Sequence, residues 1–263
     1  MVRSPLPAAL AAALSTLALA LPAAARSGIY VRGGLSLDWS LESRFTDRDC
    51  NAAAPPALFG CGLGSDGQTL SATGDFGFPV GIEAGVGYRL APMFRVEWLL
   101  NYRRNSEFEG EANFLGTPAP QPVTGRLGTF TGMAVAYLDF PGFALSALAS
   151  PLEPFVGLGV GVSHHELGRL TYGFPGLSPE ASTVLSEGSN TSLAYMFTAG
   201  VAARISPQLT IDLAYRYTDL GTVRSDEGPA VITRRTFVRT LDIAGTEADF
   251  ATHGLSASVR FGF

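Results

Sequence analysis

Lysine is missing altogether: all 18 basic residues of this 263-residue chain are arginine. With alanine, glycine and proline abundant, this reads as GC-rich coding and carries no function. Charge of either sign is scarce, 16% against a usual share of about 25%. The net charge of −5 leaves no basic stripe to displace counterions from phosphate, which excludes nucleic acid as a partner. Cysteine is limited to Cys50 and Cys61, in a segment rich in Asp, Asn, Pro and Gly. In an exported chain that even number points to one disulfide, worth roughly 3 kcal/mol on the short loop it would close. A two-ligand metal site is the rival reading, weak because no histidine lies near in sequence. Long apolar runs are also missing beyond residue 25. The best candidate, Leu127–Ser150, is broken by Asp139, Pro141 and several glycines.

The first 25 residues have the make-up of a secretory signal peptide. Arg3 gives the positive start, Leu6 to Leu21 the apolar stretch, and Pro22-Ala23-Ala24-Ala25 the small residues of a cleavage site. A retained N-terminal membrane helix is the alternative, disfavoured by Pro22 and the alanine triplet. A single domain is therefore expected over residues 26–263.

What is present in that domain is alternation. Hydrophobic residues make up 46% of the chain, yet they come every second position, as lipid-facing residues of a transmembrane barrel do. From Ile29 the odd positions read Ile29, Val31, Gly33, Leu35, Leu37, Trp39, and the even ones Tyr30, Arg32, Gly34, Ser36, Asp38, Ser40. Phe78–Leu90 puts Val80, Ile82, Ala84, Val86 and Tyr88 on one face, Glu83 and Arg89 on the other. After the turn Ala91-Pro92-Met93 comes Phe94–Arg103, with Val96, Trp98 and Tyr102 opposite Arg95, Glu97 and Arg103. A weaker pattern over Leu127–Phe140 sets Ala134, Ala136 and Leu138 against Val135, Tyr137 and Asp139. Phe155–Ser163 alternates Val156, Leu158, Val160 and Val162 with Gly157, Gly159 and Gly161, three inward glycines that leave room for a bulky neighbour. Leu193–Ile205, Leu209–Thr218 and Gly254–Phe263 complete eight strands. They turn Arg204, Asp212, Arg216 and Arg260 inward.

Each strand reaches the ~9–11 residues that a tilted crossing needs. Short turns, such as Ser206-Pro207-Gln208, alternate with long polar loops at Glu42–Phe76, Asn105–Arg126, His165–Asn190 and Leu220–Phe250. The expected fold is an all-β, closed, antiparallel up-and-down barrel of eight strands, with short periplasmic turns and long extracellular loops. Closure is needed because an open edge would leave unpaired amides in lipid. A soluble sandwich or lipocalin-like barrel is the rival, and strand glycines and aromatics at strand ends (Trp39, Phe94, Trp98, Tyr102, Tyr217, Phe263) count against it.

Several segments resemble the small outer-membrane barrels of the OmpA and Opacity-protein type. They are Gly87-Tyr88, Arg95-Val96-Glu97, Pro154–Gly161 and, most specific, Asp212-Leu213-Ala214-Tyr215-Arg216-Tyr217-Thr218-Asp219-Leu220-Gly221. The ending Val259-Arg260-Phe261-Gly262-Phe263 resembles the signal, carried by Phe261 and Phe263, that the barrel assembly machinery reads. The resemblance implies an exported barrel without a peptidoglycan-binding domain, acting as adhesin, surface antigen or structural protein.

The charges placed inward are Arg32, Asp38, Glu83, Arg89, Arg95, Glu97, Arg103, Asp139, Arg204, Asp212, Arg216 and Arg260. Eight strands leave an interior just wide enough for side chains, and buried charges must pair. A salt-bridged plug is the expectation, a narrow channel the alternative. Ser163-His164-His165-Glu166 is the one segment that looks chemical. A Ser–His pair near a carboxylate suits acyl hydrolysis, and outer-membrane lipid A deacylase uses such a group. There, however, His precedes Ser and both face lipid, whereas Ser163 and His165 share the glycine-lined inward face, at the start of a polar loop. Adjacent strand residues diverge, so His164 and His165 do not form a metal pair. The expectation is no enzyme, no cofactor and no metal. The expected partners are outer-membrane lipid, lipopolysaccharide, the assembly machinery and a host or matrix ligand on the loops.

Overall fold

The structure is a computed structural model that describes residues 28–48, 60–116, 119–140 and 152–263. Residues 1–25, the expected signal peptide, and Cys50 of the expected disulfide lie outside the described residues; Cys61 lies within them.

In chain order the strands are β1 (Ile29–Ser40), β2 (Ser43–Asp47), β3 (Ala72–Asp75), β4 (Val80–Ala91), β5 (Phe94–Ala112), β6 (Pro122–Asp139), β7 (Leu152–Leu167), β8 (Thr171–Gly173), β9 (Ser182–Val184), β10 (Gly188–Arg204), β11 (Leu209–Arg224), β12 (Gly228–Arg234), β13 (Phe237–Ile243) and β14 (Thr246–Gly262). Eight of them are long and follow one another around a ring. β1 pairs with β4, β4 with β5, β5 with β6, β6 with β7, β7 with β10, β10 with β11 and β11 with β14, every ladder antiparallel. β14 then pairs with β1 from Gly262↔Tyr30 to Thr252↔Ser40. No sheet edge remains in that ring, as hydrocarbon demands. Among the described residues no helix is long and apolar enough to cross a membrane, which says nothing about crossing by strands.

β14 states the physical logic most plainly. Its lower outward positions, Leu255, Ala257, Val259 and Phe261, are exposed and apolar, while Gly254, Ser256, Ser258 and Arg260 are turned inward and buried. Four residues earlier the code is inverted: Glu247 and Asp249 face out, and Ala248 and Phe250 are buried. One unbroken strand thus meets lipid outside and polar groups inside at one end, then water outside and apolar groups inside at the other. The reversal falls between Phe250 and Thr252 and marks the extracellular boundary of the lipid-facing belt. Trp39, Tyr215, Tyr217 and His253 stack against one another on the outer wall at this level.

This inversion overturns the expectation of four long polar loops. β5 runs for 19 residues and β6 for 18, well past the ~9–11 that span the hydrocarbon. The hairpin of β2 and β3 fills the wall between β14 and β5 above the shorter β1 and β4. On the other side β8, β9, β12 and β13 extend from β6 in that order. Their inward residues form one apolar core that includes Phe45, Phe76, Phe108, Leu170, Tyr172, Leu220 and Phe250. Folded extension replaces loop because those inward positions are hydrophobic enough to bury, at about 25 cal/mol per Å².

Two bulges hid the extension from period-two reading. The β5–β6 register shifts between Arg103 and Ser106, so even positions face out up to Arg104 and odd positions face out from Glu107. The β11–β14 register shifts between Asp219 and Thr222. There Gly221 takes φ +76° and donates its N–H to Asp219 Oδ1 at 2.8 Å, and Leu220 turns into the apolar core. That is the physical content of the Asp219-Leu220-Gly221 segment.

The inward glycines of β7 differ in what they allow. At Gly159 a Cβ would sit 3.3 Å from Val135 Cγ2 and 3.4 Å from Met196 Cβ, contacts that side chains can relieve. At Gly161 it would run into the carbonyl oxygen of Gly132, which is backbone. Gly161→Ala should therefore lower the thermal midpoint of unfolding by several degrees more than Gly159→Ala. Equal midpoints for the two variants, read from heat-modified migration on gels, would contradict the close approach.

Candidate functional site: the barrel interior

Inward residues of the lipid-spanning level include five buried arginines, Arg32, Arg95, Arg103, Arg216 and Arg260, and five buried carboxylates, Asp38, Glu83, Glu97, Asp139 and Asp212. The balance matters, because each unpaired buried ion would cost several kcal/mol. β1 supplies Arg32, whose Nη2 lies 3.1 Å from Glu83 Oε2 and whose Nη1 lies 3.2 Å from Glu97 Oε1. β5 supplies Arg95, at 3.1 Å from Asp139 Oδ1, with its guanidinium 3.6 Å from the centre of the Tyr137 ring. Higher up, Arg103 Nε is 2.6 Å from Asp38 Oδ2, and Arg216 reaches both Asp38 and Glu83. Arg260 Nε meets Asp212 Oδ2 at 2.6 Å.

Two of the charges placed inward from sequence lie at the rim. Arg89 bonds Asp139 at 3.0 Å with its side chain one-third exposed. Arg204 is a correction in depth: its side chain is 54% exposed and pairs with Glu153 at 3.2 Å at the barrel's mouth, not within the buried network. As the last residue of β10, beside the turn to β11, it reaches water at the strand's end. Conversely, sequence reasoning left out Tyr30, Tyr137 and Asn101. Tyr30 Oη accepts from Arg95 Nη1 at 3.1 Å and donates to Glu97 at 2.9 Å; Tyr137 Oη accepts from Arg32 at 2.9 Å; Asn101 Nδ2 donates to Glu83 at 3.2 Å. Their inward parity beside the charges was the available signal.

The interior is not uniformly polar. Leu99, Met133, Val135, Tyr137, Phe155, Ala194 and Met196 form an apolar wall within it. Gly157 fits here because a Cβ would overlap the Tyr137 ring.

Ser163 and His165 sit between the charged level and the extracellular apolar core, and both are fully buried, not solvated residues of a loop. Ser163 Oγ is 3.1 Å from Thr131 Oγ1. His165 Nε2 faces the Leu220 carbonyl at 2.9 Å, which fixes that nitrogen as the donor and leaves Nδ1 to accept from Thr129 Oγ1 at 3.1 Å. Each group is bonded elsewhere, so among the described residues Ser163 meets no base. His164 points outward to Thr191 Oγ1 at 3.0 Å. Among the described residues no group of three or more His, Cys, Asp or Glu could hold a metal ion.

Above His165, Phe250 packs on Phe76 at 4.8 Å, and Phe108 lies 5.2 Å from Phe76 and 5.0 Å from Phe45. At the opposite end, Phe261 and Phe263 meet edge to face at 5.3 Å on the last strand.

The sequence profile of the outer membrane protein beta-barrel domain matches residues 6–261. A putative adhesin of Rickettsia felis is 26% identical over 190 residues, covering 69% of this chain and 74% of that protein. An uncharacterized protein of Brucella abortus is 28% identical over 147 residues, covering 51% of this chain and 49% of its own, so the chain spans about half the length of that curated relative. Of solved structures, the outer membrane protein OprG of Pseudomonas aeruginosa is 14% identical, with 90% of this chain and 98% of that one covered and a TM-score of 0.49.

Proposed function

Because this chain belongs to the outer membrane protein beta-barrel domain family, we propose that it is a non-enzymatic surface protein that is closed to solutes and acts through its extracellular tier. Its place is the outer membrane. The observation that carries the rest is the stacking of two seals along the barrel axis: a charge-balanced layer within the lipid level and an aromatic core above it. Water and ions crossing the barrel would have to break buried ion pairs and then pass a dry apolar region, each at a cost of several kcal/mol.

A folded tier standing on a rigid ring suits recognition better than conduction, since binding residues are commonly set on a fixed scaffold. The adhesin description of the Rickettsia relative is in keeping with this. The tip of the β12–β13 hairpin presents Arg235, Phe237 and Val238 to solvent. Lipid and lipopolysaccharide would surround the wall, and Phe261 and Phe263 would be offered to the assembly machinery. Cells displaying the protein should adhere to host or matrix surfaces, and changing Arg235, Phe237 and Val238 together to serine should remove most of that adherence. Undiminished adherence of correctly displayed variant would refute the role of the tip.

A narrow channel is the second reading. The buried hydroxyls of Thr218, Thr252 and Ser258 have no hydrogen-bond partner within the protein among the described residues, a state that water ordinarily relieves. Planar bilayers separate the two. The sealed barrel should give no steady conductance at physiological salt, and discrete reproducible openings would favour the channel.

A further inference from the structure

The extracellular tier holds a polar cavity of about 440 Å³ on its outer side, between residues 65–71, ahead of β3, and Asn113, Ala119 and Gln121, which flank the ends of β5 and β6. That is within the ~300–1,000 Å³ usual for ligand sites. On the adhesive reading above, we propose that this cavity is a second recognition site, separate from the β12–β13 tip, and that it takes a sugar unit bearing hydroxyl or amino groups and no acidic group.

The walls are held in place before any ligand arrives. Asn113 Nδ2 donates to Asp66 Oδ1 at 2.8 Å and to the Thr69 carbonyl at 3.1 Å, its Oδ1 accepts from Ser71 N–H at 2.9 Å, and its own carbonyl accepts from Ser65 N–H at 2.7 Å. One side chain thus clamps one wall of the cavity to the other. Gln68 N–H also donates to Asp66 Oδ1, and chiefly this bond holds the Asp66 carboxyl below its usual range, so it is ionised at neutral pH. A preformed cavity avoids the ordering cost that a floppy loop would incur on binding.

The chemistry of the floor selects the ligand. Arg44, Thr73 and Glu111 lie side by side on β2, β3 and β5, one rung across the outer face. Arg44 Nε and Nη2 donate to Ser71 Oγ at 2.8 Å and to the Thr69 carbonyl at 3.0 Å, so one of its two forked edges is taken and the ammonium-like end, Nη1, is what it turns to a ligand. Against that one arginine stand two carboxylates, Asp66 and Glu111, and on the next rung of the same wall Asp75 lies opposite Glu109. The surplus negative charge repels sulfated, phosphorylated or sialylated ligands. Among the described residues Gln68, Thr73 and Glu111 make no side-chain bond within the protein. They offer an amide, a hydroxyl and a carboxylate at close range, a mixture of donors and acceptors that vicinal hydroxyls match. A lysine or arginine stem would find only Ala112 and Ala119 to pack on.

The test uses the full folded protein in detergent micelles and saturation-transfer NMR, with methyl galactoside, methyl glucosaminide, N-acetylneuraminic acid and a heparin disaccharide as probes. The first two should bind with roughly millimolar affinity and the two acids should not. Glu111→Gln, at an exposed position, and Thr73→Val, at a half-buried one, both without side-chain bonds within the protein among the described residues, should each weaken binding about tenfold with an unchanged melting midpoint. A neutral host-type oligosaccharide and a neutral outer-core oligosaccharide of lipopolysaccharide, freed of its acidic sugars and phosphate, form two further arms, and a preference for either assigns the source while supporting the class. Binding of the acids as tight as that of the neutral sugars, no saturable binding of any sugar, or binding unaffected by both variants would overturn the proposal. Adherence of whole cells is scored separately, so loss of the adhesive role and failure of this cavity are told apart.

Discussion

Asp38→Asn should destabilise the barrel by about 3–5 kcal/mol, the range found when one partner of a buried ion pair is removed. Asp38 is wholly buried, accepts from Arg103 Nε at 2.6 Å and from Ser36 Oγ at 3.2 Å, and lies 3.6 Å from Arg216 Nε. Asparagine keeps the shape and discards the charge, leaving five buried arginines facing four carboxylates. It also puts an amide donor where guanidinium donors already converge. Gly254 leaves no escape, since the Asp38 carboxylate occupies the space a Cβ there would need. The measurement is urea unfolding in lipid vesicles followed by tryptophan fluorescence. The double variant Asp38→Asn with Arg103→Met should recover part of the loss, because the cation stranded by the first change is removed by the second. A midpoint unchanged by Asp38→Asn would mean that Arg103 and Arg216 are satisfied without it.

Much of this was legible in the residues. The lipid-facing parity was readable because two solvents of opposite character meet a backbone of period two. The inward placement of Arg32, Glu83, Arg95, Glu97 and Asp139 follows from the same alternation. What could not be read has particular causes. Pairing partners lie far apart in sequence: Arg103 finds Asp38, and Arg216 finds Glu83, only after the ring closes and fixes the stagger of strands. Arg204 obeyed the parity of β10 but sits where the strand leaves the membrane level, and parity does not report depth.

The extracellular tier was hidden for a different reason. Glu107-Phe108-Glu109 alternates as cleanly as any lipid-facing segment. Its phase is reversed, however, and the bulge after Arg103 interrupts the count just before it. Polar outward residues made these stretches look like loops. The discriminating signal was the set of single aromatics beside polar residues, Phe45 between Arg44 and Thr46, Phe108 between Glu107 and Glu109, and Phe250 after Asp249, which a solvated loop has no use for. His165 was misplaced with them: next to an outward Glu166 it reads as a loop residue, and its burial depends on Leu220 being turned inward by the Gly221 bulge.

Phe250→Ala tests whether that tier is a packed body or a loose collar. Phe250 is fully buried, 4.8 Å from the Phe76 ring and 6.2 Å from His165. Truncation to alanine at such a site costs about 3–5 kcal/mol, part from lost transfer and part from the cavity left behind. Phe250 belongs to the apolar core, and among the described residues its ring contacts are with Phe76 and His165 and not with the charge layer, so the loss should fall on the extracellular tier. Trypsin reports the difference, since the tier carries Arg224, Arg234, Arg235 and Arg239 whereas the lumen arginines are shielded. The variant should be cut in the tier many times faster than the parent while the lipid-spanning ring stays intact on gels. On the proposal of a sealed barrel, conductance should stay absent, because the ion pairs would still close the barrel beneath the damaged core. Phe250→Leu, which keeps most of the volume, should lose only about 1 kcal/mol. Unaltered proteolysis in Phe250→Ala would show that the aromatics touch without sealing, and current through that variant would show that the charged layer alone does not close the barrel.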